Sequence, residues 1–451
     1  MALIDRASAP TILTEDHLFS LPPTVTERIS THDFEIGPAQ AVLDSSEDIL
    51  FVVPAAHNDF ISLNDVRFSC DLVVRRHDKT EMAALEDTIT PINNIMHSLF
   101  KSVTLLLNGR LVSDSSELYY MRAYIETLLG YSTQTQKSQL SMSGWYLDED
   151  LSVPQQGDVR GTDVATRFVY FANKGAMARR QWLFDGQPLQ LSGKLHLDML
   201  QQPKPLITGV EIQIRLTRSK TRMVFCADTD EHLPIIAIRN PRLRMRRFEP
   251  APAFLNSVAK TLLTNNVKYH INRVAMRSMT FAAGMQFTTW SNVTMGQLPK
   301  MAIMGIVSNT GFSGTHDKSP YNFAHFDLAH TAAEIEGLTY PGRGYEMDFD
   351  RGQSVAPYEG LLDCLDRLSE GNGELPFDRF GYKKGFSLYG FDFTVARTSM
   401  SHLALIKTGN LNFTFRFKTP LPEAAIVVCM LIFDNIIEIT NTRQVIFDYA
   451  P

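Results

Sequence analysis

The chain has 451 residues, and its 43 Lys plus Arg against 49 Asp plus Glu give a formal charge of −6, with 44% hydrophobic and 20% charged residues. That balance excludes a disordered or collagen-like chain and a surface that binds nucleic acid all over, leaving room only for a local basic stripe. The length exceeds one ordinary β-sandwich and suits two domains of roughly 200–230 residues each.

The four cysteines, Cys70, Cys226, Cys364 and Cys429, lie far apart with no CxxC pair, which argues against a disulfide framework or a zinc site. The start, Met1-Ala-Leu-Ile-Asp-Arg, is no signal peptide, so the sequons at Asn292 and Asn412 are expected to be unused. The longest apolar run, Ala424 to Phe433, is well short of the ~18 residues of a membrane span. The expectation is a soluble intracellular product with no membrane span.

Along the chain, strand signals dominate. Asp48–Pro54, Phe60–Arg75 and Ser102–Leu107 come first, and Asn108-Gly109 directly after the last is a two-residue hairpin turn, both residues tolerating positive φ. Ser116–Leu129 reads as a helix, with Ser116 as cap, Leu118, Met121, Ile125 and Leu128 on one face, and Gly130 as stop. Ser132–Ser192 resists a regular assignment. A strand is expected at Lys194–Met199, and VEIQIRLT (Val210–Thr217) alternates without error as a half-buried strand does. A second apolar segment, Arg222–Ala227, follows, and the acidic CADTDEHLP (Cys226–Pro234) marks the domain junction.

The second half opens with strands Ile235–Phe248 and Val267–Phe281 around a short helix, Pro252–Leu263. Asn309–Lys384 is again irregular apart from a helix at Tyr358–Leu368. Strands return at Phe386–Ala396, Leu411–Lys418 (LNFTFRFK), Ala424–Phe433, Ile436–Thr440 and Gln444–Tyr449. VEIQIRLT and LNFTFRFK, each followed by an apolar segment, make the two halves end alike, which is the sign of internal duplication. Many strands, few helices and long Gly/Pro-containing loops predict an all-β chain of two antiparallel sandwiches, compatible with jelly rolls carrying decorated loops.

Enzyme motifs are missing: there is no Walker loop, dinucleotide glycine fingerprint, HExxH or GxSxG. No catalytic residue, metal ligand or cofactor is therefore assigned. His325, Asp327 and His330 have the residue types of a metal site, but their spacing does not bring them to one face; an ordinary polar loop explains them better. Glu346, Asp348 and Asp350 alternate as cation ligands on a strand face do, or as a solvated acidic loop does. On an extended strand Arg242, Arg244 and Arg246 share a face, with Arg247 beside them. They form a phosphate-facing stripe, a charged edge strand or a salt-bridge ladder between subunits. Lys174, Arg179 and Arg180 form a second, weaker basic cluster with the same readings.

Several stretches resemble the major capsid protein of Polinton/Maverick elements and their adintovirus relatives. They are Leu21-Pro-Pro-Thr24, DILFVVP, FISLNDVRF, PINNIMHSLF (Pro91–Phe100), VTLLLNGRLV, YYMRAYIETLLGYS, NKGAMARRQ and the run from Ser192 through LHLDMLQQPKPLITGVEIQIRLTRSK. The resemblance is dense over about residues 20–225 and loose beyond, where periodicity alone carries the assignment. It implies a tandem double jelly roll of two eight-stranded antiparallel sandwiches, divided into an arm (1–24), a first roll (25–230) and a second (231–451). It also implies a homotrimer with a pseudo-sixfold outline, neighbouring capsomers, a separate single-jelly-roll penton protein and an icosahedral shell around double-stranded DNA that the chain meets only indirectly. Such a shell is a virion capsid assembled in the host cytoplasm or nucleus. Loops Ser132–Arg160 and Gly311–Gly352 and the arm Met1–Thr24 are then the expected subunit contacts. Two other readings stay open: a domesticated host protein that kept the fold, and a β-sandwich carbohydrate-binding or cupin-like protein.

Overall fold

The computed structural model describes residues 26–42, 46–76, 78, 80, 88–114, 116–160, 168–368, 373–394 and 405–449. The expected arm, 1–24, lies outside them. Among the described residues, sixteen strands repeat one scheme twice. The first eight are β1 (Arg28–Ile36), β2 (Asp48–Val53), β3 (Phe60–Arg75), β4 (Phe100–Leu107), β5 (Arg110–Asp114), β6 (Leu189–Gly193), β7 (Ile212–Arg218) and β8 (Ile235–Pro250). The second eight are β9 (Val267–Phe281), β10 (Phe287–Gln297), β11 (Met301–Ser308), β12 (Leu328–Ile335), β13 (Leu338–Glu346), β14 (Leu388–Asp392), β15 (Thr408–Phe417) and β16 (Ala425–Ile439).

Their pairing orders are β1-β8-β3-β6 with β2-β7-β4-β5, and β9-β16-β11-β14 with β10-β15-β12-β13. Counted from its own start, each half therefore has one sheet in the order 1-8-3-6 and another in the order 2-7-4-5. That antiparallel exchange between two sheets is a jelly roll, and the chain holds two of them. Rings join the facing sheets: Phe51 of β2 meets Phe68 of β3 at 6.1 Å, and Phe281 of β9 meets Phe415 of β15 at 5.0 Å.

The alternation in VEIQIRLT and LNFTFRFK is a true strand signal. β7 and β15 hold the same place in their sheets, each between the second and fourth strands of its roll, with Ile212, Ile214, Leu216, Leu411, Phe413, Phe415 and Phe417 buried. The two-residue turn is also present: Leu107 pairs with Arg110, and Asn108 and Gly109 have φ of 48° and 74°. Helix α1 (Tyr119–Gly130) follows β5, a short α2 spans Lys174–Arg180, α3 (Pro252–Leu262) leads from β8 toward β9, and α4 (Val355–Cys364) follows β13.

Several expectations are corrected. Beyond the junction expected at 226–234, strand β8 pairs with β1 and β3, so hydrogen bonding of the first roll continues to Pro250. The counterpart of Ala424–Phe433 is thus β8 and not Arg222–Ala227, of which only Phe225–Cys226 pairs, with Thr90–Pro91. Ser116 does not cap α1; with φ of 50° it belongs to a left-handed turn with Glu117, and Gly130 closes the helix from inside.

Lys194–Met199 is no strand. Its alternating His196 and Asp198 are buried, because α1 supplies the polar partners that a half-buried strand would find in water. The stretch Asn309–Lys384 contains β12 and β13, hidden in sequence because β12 (LAHTAAEI) fills its core positions with Ala and Thr, while the helix expected at Tyr358–Leu368 is present as α4. Ser132–Ser192 contains α2 and most of β6. Part of the expected strand Phe386–Ala396, its last two residues, lies outside the described residues.

Candidate interaction surfaces

The two rolls meet along a seam built by α1. Its Tyr119 and Ala123 join the core of the first roll, while Tyr124, Ile125 and Leu128 join that of the second. A groove of about 600 Å³ has Ile125 and Leu129 on one wall and Val274, Ile303, Met430 and Ile432 on the other. These last four residues form the outer face of the β9-β16-β11-β14 sheet: Val274 stands opposite Ile432, and Ile303 opposite Met430. This stretch of the outer face is apolar and lies against α1, while farther along the same face Lys268 pairs with Glu438 and both His270 and Lys300 pair with Asp434.

Polar groups lock the seam. Arg122 donates to Glu126 at 2.8 Å and to Asp198 at 2.6 Å, and Asp198 also accepts from the backbone N–H of Val274 on β9 at 3.2 Å. His196 Nδ1 lies 2.6 Å from Glu126, its ring 4.7 Å from that of His97, whose Nδ1 is 2.9 Å from the Tyr119 hydroxyl. Burial pushes the Glu126 carboxyl up, but the charges of Arg122 and His196 outweigh it and hold it at about 2. Burial raises Asp198 despite Arg122, and burial reinforced by His196 holds His97 well below the ordinary imidazole value. Elsewhere Ser98 Oγ and Tyr321 OH are 2.6 Å apart, and Tyr321 stacks on Tyr124 at 4.0 Å. The Asn108 amide donates to Arg443 O at 2.8 Å.

The first roll presents a different face at the same place. Arg242, Arg244 and Arg246 point outward from β8 while Leu243 and Met245 point into the core. Each guanidinium is half-exposed and ion-paired: Arg242 to Glu35 at 3.0 Å, Arg244 to Asp33 at 2.6 Å, and Arg246 to Asp33 at 2.9 Å and Asp65 at 3.7 Å. Hydrogen bonds from Arg246 and Arg244 hold Asp33 at about 2. Arg247 stacks over Phe34 at 4.0 Å. The stripe is therefore a ladder within one chain, and β8 is central, with β1 as the edge strand. Pro241 is tolerated in so central a strand because it sits at a bulge beside Asn240, whose φ is 46°.

The second basic cluster does not form a surface patch. Arg179 is buried, paired with Asp148 at 2.8 Å and donating to Pro91 O and Tyr146 O, while Arg180 is buried over Phe171 at 4.9 Å. Only Lys174 is exposed, 3.2 Å from Glu149.

The acidic candidates are likewise partnered: Glu346 with Arg416 at 3.1 Å, and Asp348 and Asp350 with Lys418 at 3.1 and 2.8 Å. His325 stacks on Phe349 at 4.2 Å with Asp327 3.1 Å away, and His330 faces Glu346 at 3.9 Å instead of joining them. Among the described residues, no group of three or more His, Cys, Asp or Glu side chains is placed to hold a metal ion. Burial raises the thiols of Cys70 and Cys226 to about 12, as fits packing residues and not nucleophiles. No helix among the described residues is long and apolar enough to cross a membrane.

No protein-family model matches the sequence. An uncharacterized protein of Caenorhabditis elegans is 21% identical over 364 residues, covering 79% of this chain and 81% of that protein. Among solved structures, PBCV-1 VP54, fitted into a reconstruction of the virophage Sputnik, superposes with a TM-score of 0.57 at 11% identity over 96% of this chain and 100% of that one. The mavirus major capsid protein gives 0.52 at 12% identity, covering 99% and 97%. The Faustovirus major capsid protein gives 0.55 at 8% identity, covering 95% and 94%. At this level of identity the likeness establishes architecture: the chain has the double jelly-roll fold of viral major capsid proteins.

Proposed function

We propose that this protein is a major capsid protein whose trimers act as pseudo-hexameric capsomers of an icosahedral shell around double-stranded DNA. The observation that carries the reading is the repetition of one strand order, 1-8-3-6 with 2-7-4-5, over nearly the whole described chain. Two like lobes in one subunit let three chains occupy a six-sided lattice position, which gives duplication a physical purpose. The structural relatives carry capsid names, and the sequence motifs of the first half favour the Polinton/Maverick and adintovirus lineage within that group. A relative in a nematode suits elements that reside in animal genomes, and it equally suits a domesticated copy. Neighbouring genes for a protein-primed polymerase, integrase, protease and packaging ATPase would favour the element.

On this reading neighbouring capsomers and a single-jelly-roll penton protein are the partners, the virion is the destination, and no chemistry is required of the chain. The two rolls divide at α3, after β8. Electron microscopy and mass measurement of the purified full chain test the proposal. A trimer with a hexagonal outline is expected. A species that stays monomeric at high concentration across salt conditions overturns it.

A further inference from the structure

The two rolls differ in what lies at matching positions, and the differences fit one another. In each roll a helix follows the fifth strand: α1 after β5 and α4 after β13. Within the chain, α1 presses its apolar side chains on the outer face of the sheet containing the first and eighth strands of the second roll, β9 and β16. α4 is anchored on its own roll by Pro357, Leu361 and Cys364, with Leu361 and Cys364 so close over Gly390 of β14 that a Cβ there would meet them at 3.2 Å or less. Its far side carries Glu359 and Asp363 one turn apart, Asp366 follows just past the helix end, and Glu359 and Asp366 are exposed.

The sheet face that α4 would meet, if the relation inside the chain were repeated, is β1 and β8 of the first roll. It is the charged ladder. Arg67 on β3 stands directly opposite Arg244, so four guanidiniums (Arg67, Arg242, Arg244 and Arg246) share that face with the three carboxylates of Asp33, Glu35 and Asp65. Like charges directly across a sheet destabilise it unless an anion comes between them. The apolar helix thus meets an apolar stretch of sheet inside the chain, and the acidic helix matches the basic sheet, whose guanidiniums stay half-exposed among the described residues.

We infer that the acidic side of α4 docks on the β1/β8 ladder of a second copy of this chain. The contact is head-to-tail, joining second roll to first roll, and such contacts close into a ring when the rotation between copies closes. This inference rests on the assembly reading above and names the surfaces that assembly uses. It also replaces a phosphate-facing role for Arg242, Arg244 and Arg246 with a protein partner.

The test uses the purified full chain, followed by sedimentation over a concentration series. Glu359→Lys with Asp363→Lys is expected to weaken the trimer at least tenfold without altering the thermal melt of the monomer. Adding Arg242→Glu and Arg244→Glu to the same chain is expected to restore it. Because the ladder variants alter pairs within the chain, hydrogen exchange on the unmodified protein supplies a second reading: assembly should protect 355–366 together with 28–36 and 242–247. A trimer indifferent to the lysine pair, or protection that omits these segments, overturns the docking surface and leaves the capsid reading standing. A wild-type chain that never leaves the monomer overturns both.

Discussion

The eighth strands of the two rolls occupy the same place in the same sheet order, yet their outward residues could hardly differ more. On β16 they are Met430 and Ile432, paired across to Met276 and Val274 of β9; on β8 they are Arg244 and Arg246, paired across to Glu35 and Asp33 of β1. Topology is indifferent to what stands on the outer side of a sheet, since backbone pairing and inward side chains define the roll. The environment decides. The Met430–Ile432 stretch of the β16 face lies against α1 of the same chain and is apolar, as a core is. The β8 face must survive in water before any partner arrives, so it is charged and self-paired.

The largest effect should come from the polar lock that holds the seam. Arg122→Ala strips the cation from Glu126 and Asp198, all three side chains being largely buried. Removing one partner of a buried ion pair costs about 3–5 kcal/mol. A denaturant titration of the full chain should show that loss, with the first transition assigned to separation of the rolls. A loss below the range of surface pairs would mean that the seam is held by packing alone.

The comparison of the two outer faces is tested next. Met430→Ala opens a cavity under α1 and should cost about 2–5 kcal/mol. Arg244→Ala, at the corresponding face of the first roll, removes a half-exposed ion pair to a solvent-facing carboxylate. Such pairs contribute little, so the denaturation midpoint of the monomer should stay where it is. Equal costs at the two sites would break the argument that one face is core and the other surface.

A third prediction concerns pH. His97 is held neutral by burial and by His196, whereas the unfolded chain takes up a proton at an imidazole near pH ~6.5. Its contribution is present above that value and is lost as pH falls below it, since only the unfolded state then gains the proton. Glu126, held at about 2, works lower down: its contribution is present above the unfolded carboxylate value near ~4.3 and is lost as pH falls toward 2. Stability of the wild type should fall between pH 7 and 5 with a slope of at most about 1.4 kcal/mol per pH unit, one proton's worth. His97→Gln should flatten that limb and leave the lower one. An unchanged upper limb in the variant would assign it to another group.

Much of the scaffold was legible in the sequence because its strands are half-buried. VEIQIRLT and LNFTFRFK announce themselves by period, and Asn108-Gly109 by turn chemistry. One group of failures shares a cause: burial on both sides erases alternation. KLHLDML mimics a strand because His196 and Asp198 look solvent-facing, when both are buried against α1. Arg122 and Glu126, four apart on a helix, look like an ordinary surface pair, and nothing local says that Asp198 closes over them. The basic run on β8 was visible as a stripe, but its partners Asp33 and Glu35 lie some two hundred residues earlier, where only the fold brings them across. Arg179 and Arg180 show the same limit in reverse, a cationic dipeptide that the fold takes inside.

A smaller effect separates the rolls at their matching hairpins. In the first, β4 and β5 are joined by Asn108-Gly109; in the second, Glu336-Gly337 joins β12 and β13, with Ile335 paired to Leu338 and φ of 50° and 83°. Both are two-residue turns with two left-handed residues, but Asn adopts that conformation at lower cost than Glu. The second hairpin is therefore held by its strands against the preference of its turn, which is why no turn signal appears in its sequence. Glu336→Asn should stabilise the chain by about 0.5–1 kcal/mol, read from the denaturation midpoint. Asn108→Glu should cost a similar amount or more, because it also removes the bonds of the Asn108 side chain to Arg443 O and to the Glu211 N–H. If the two exchanges changed stability in the same direction, the turns would not be equivalent, and the correspondence of the rolls would end at their sheets.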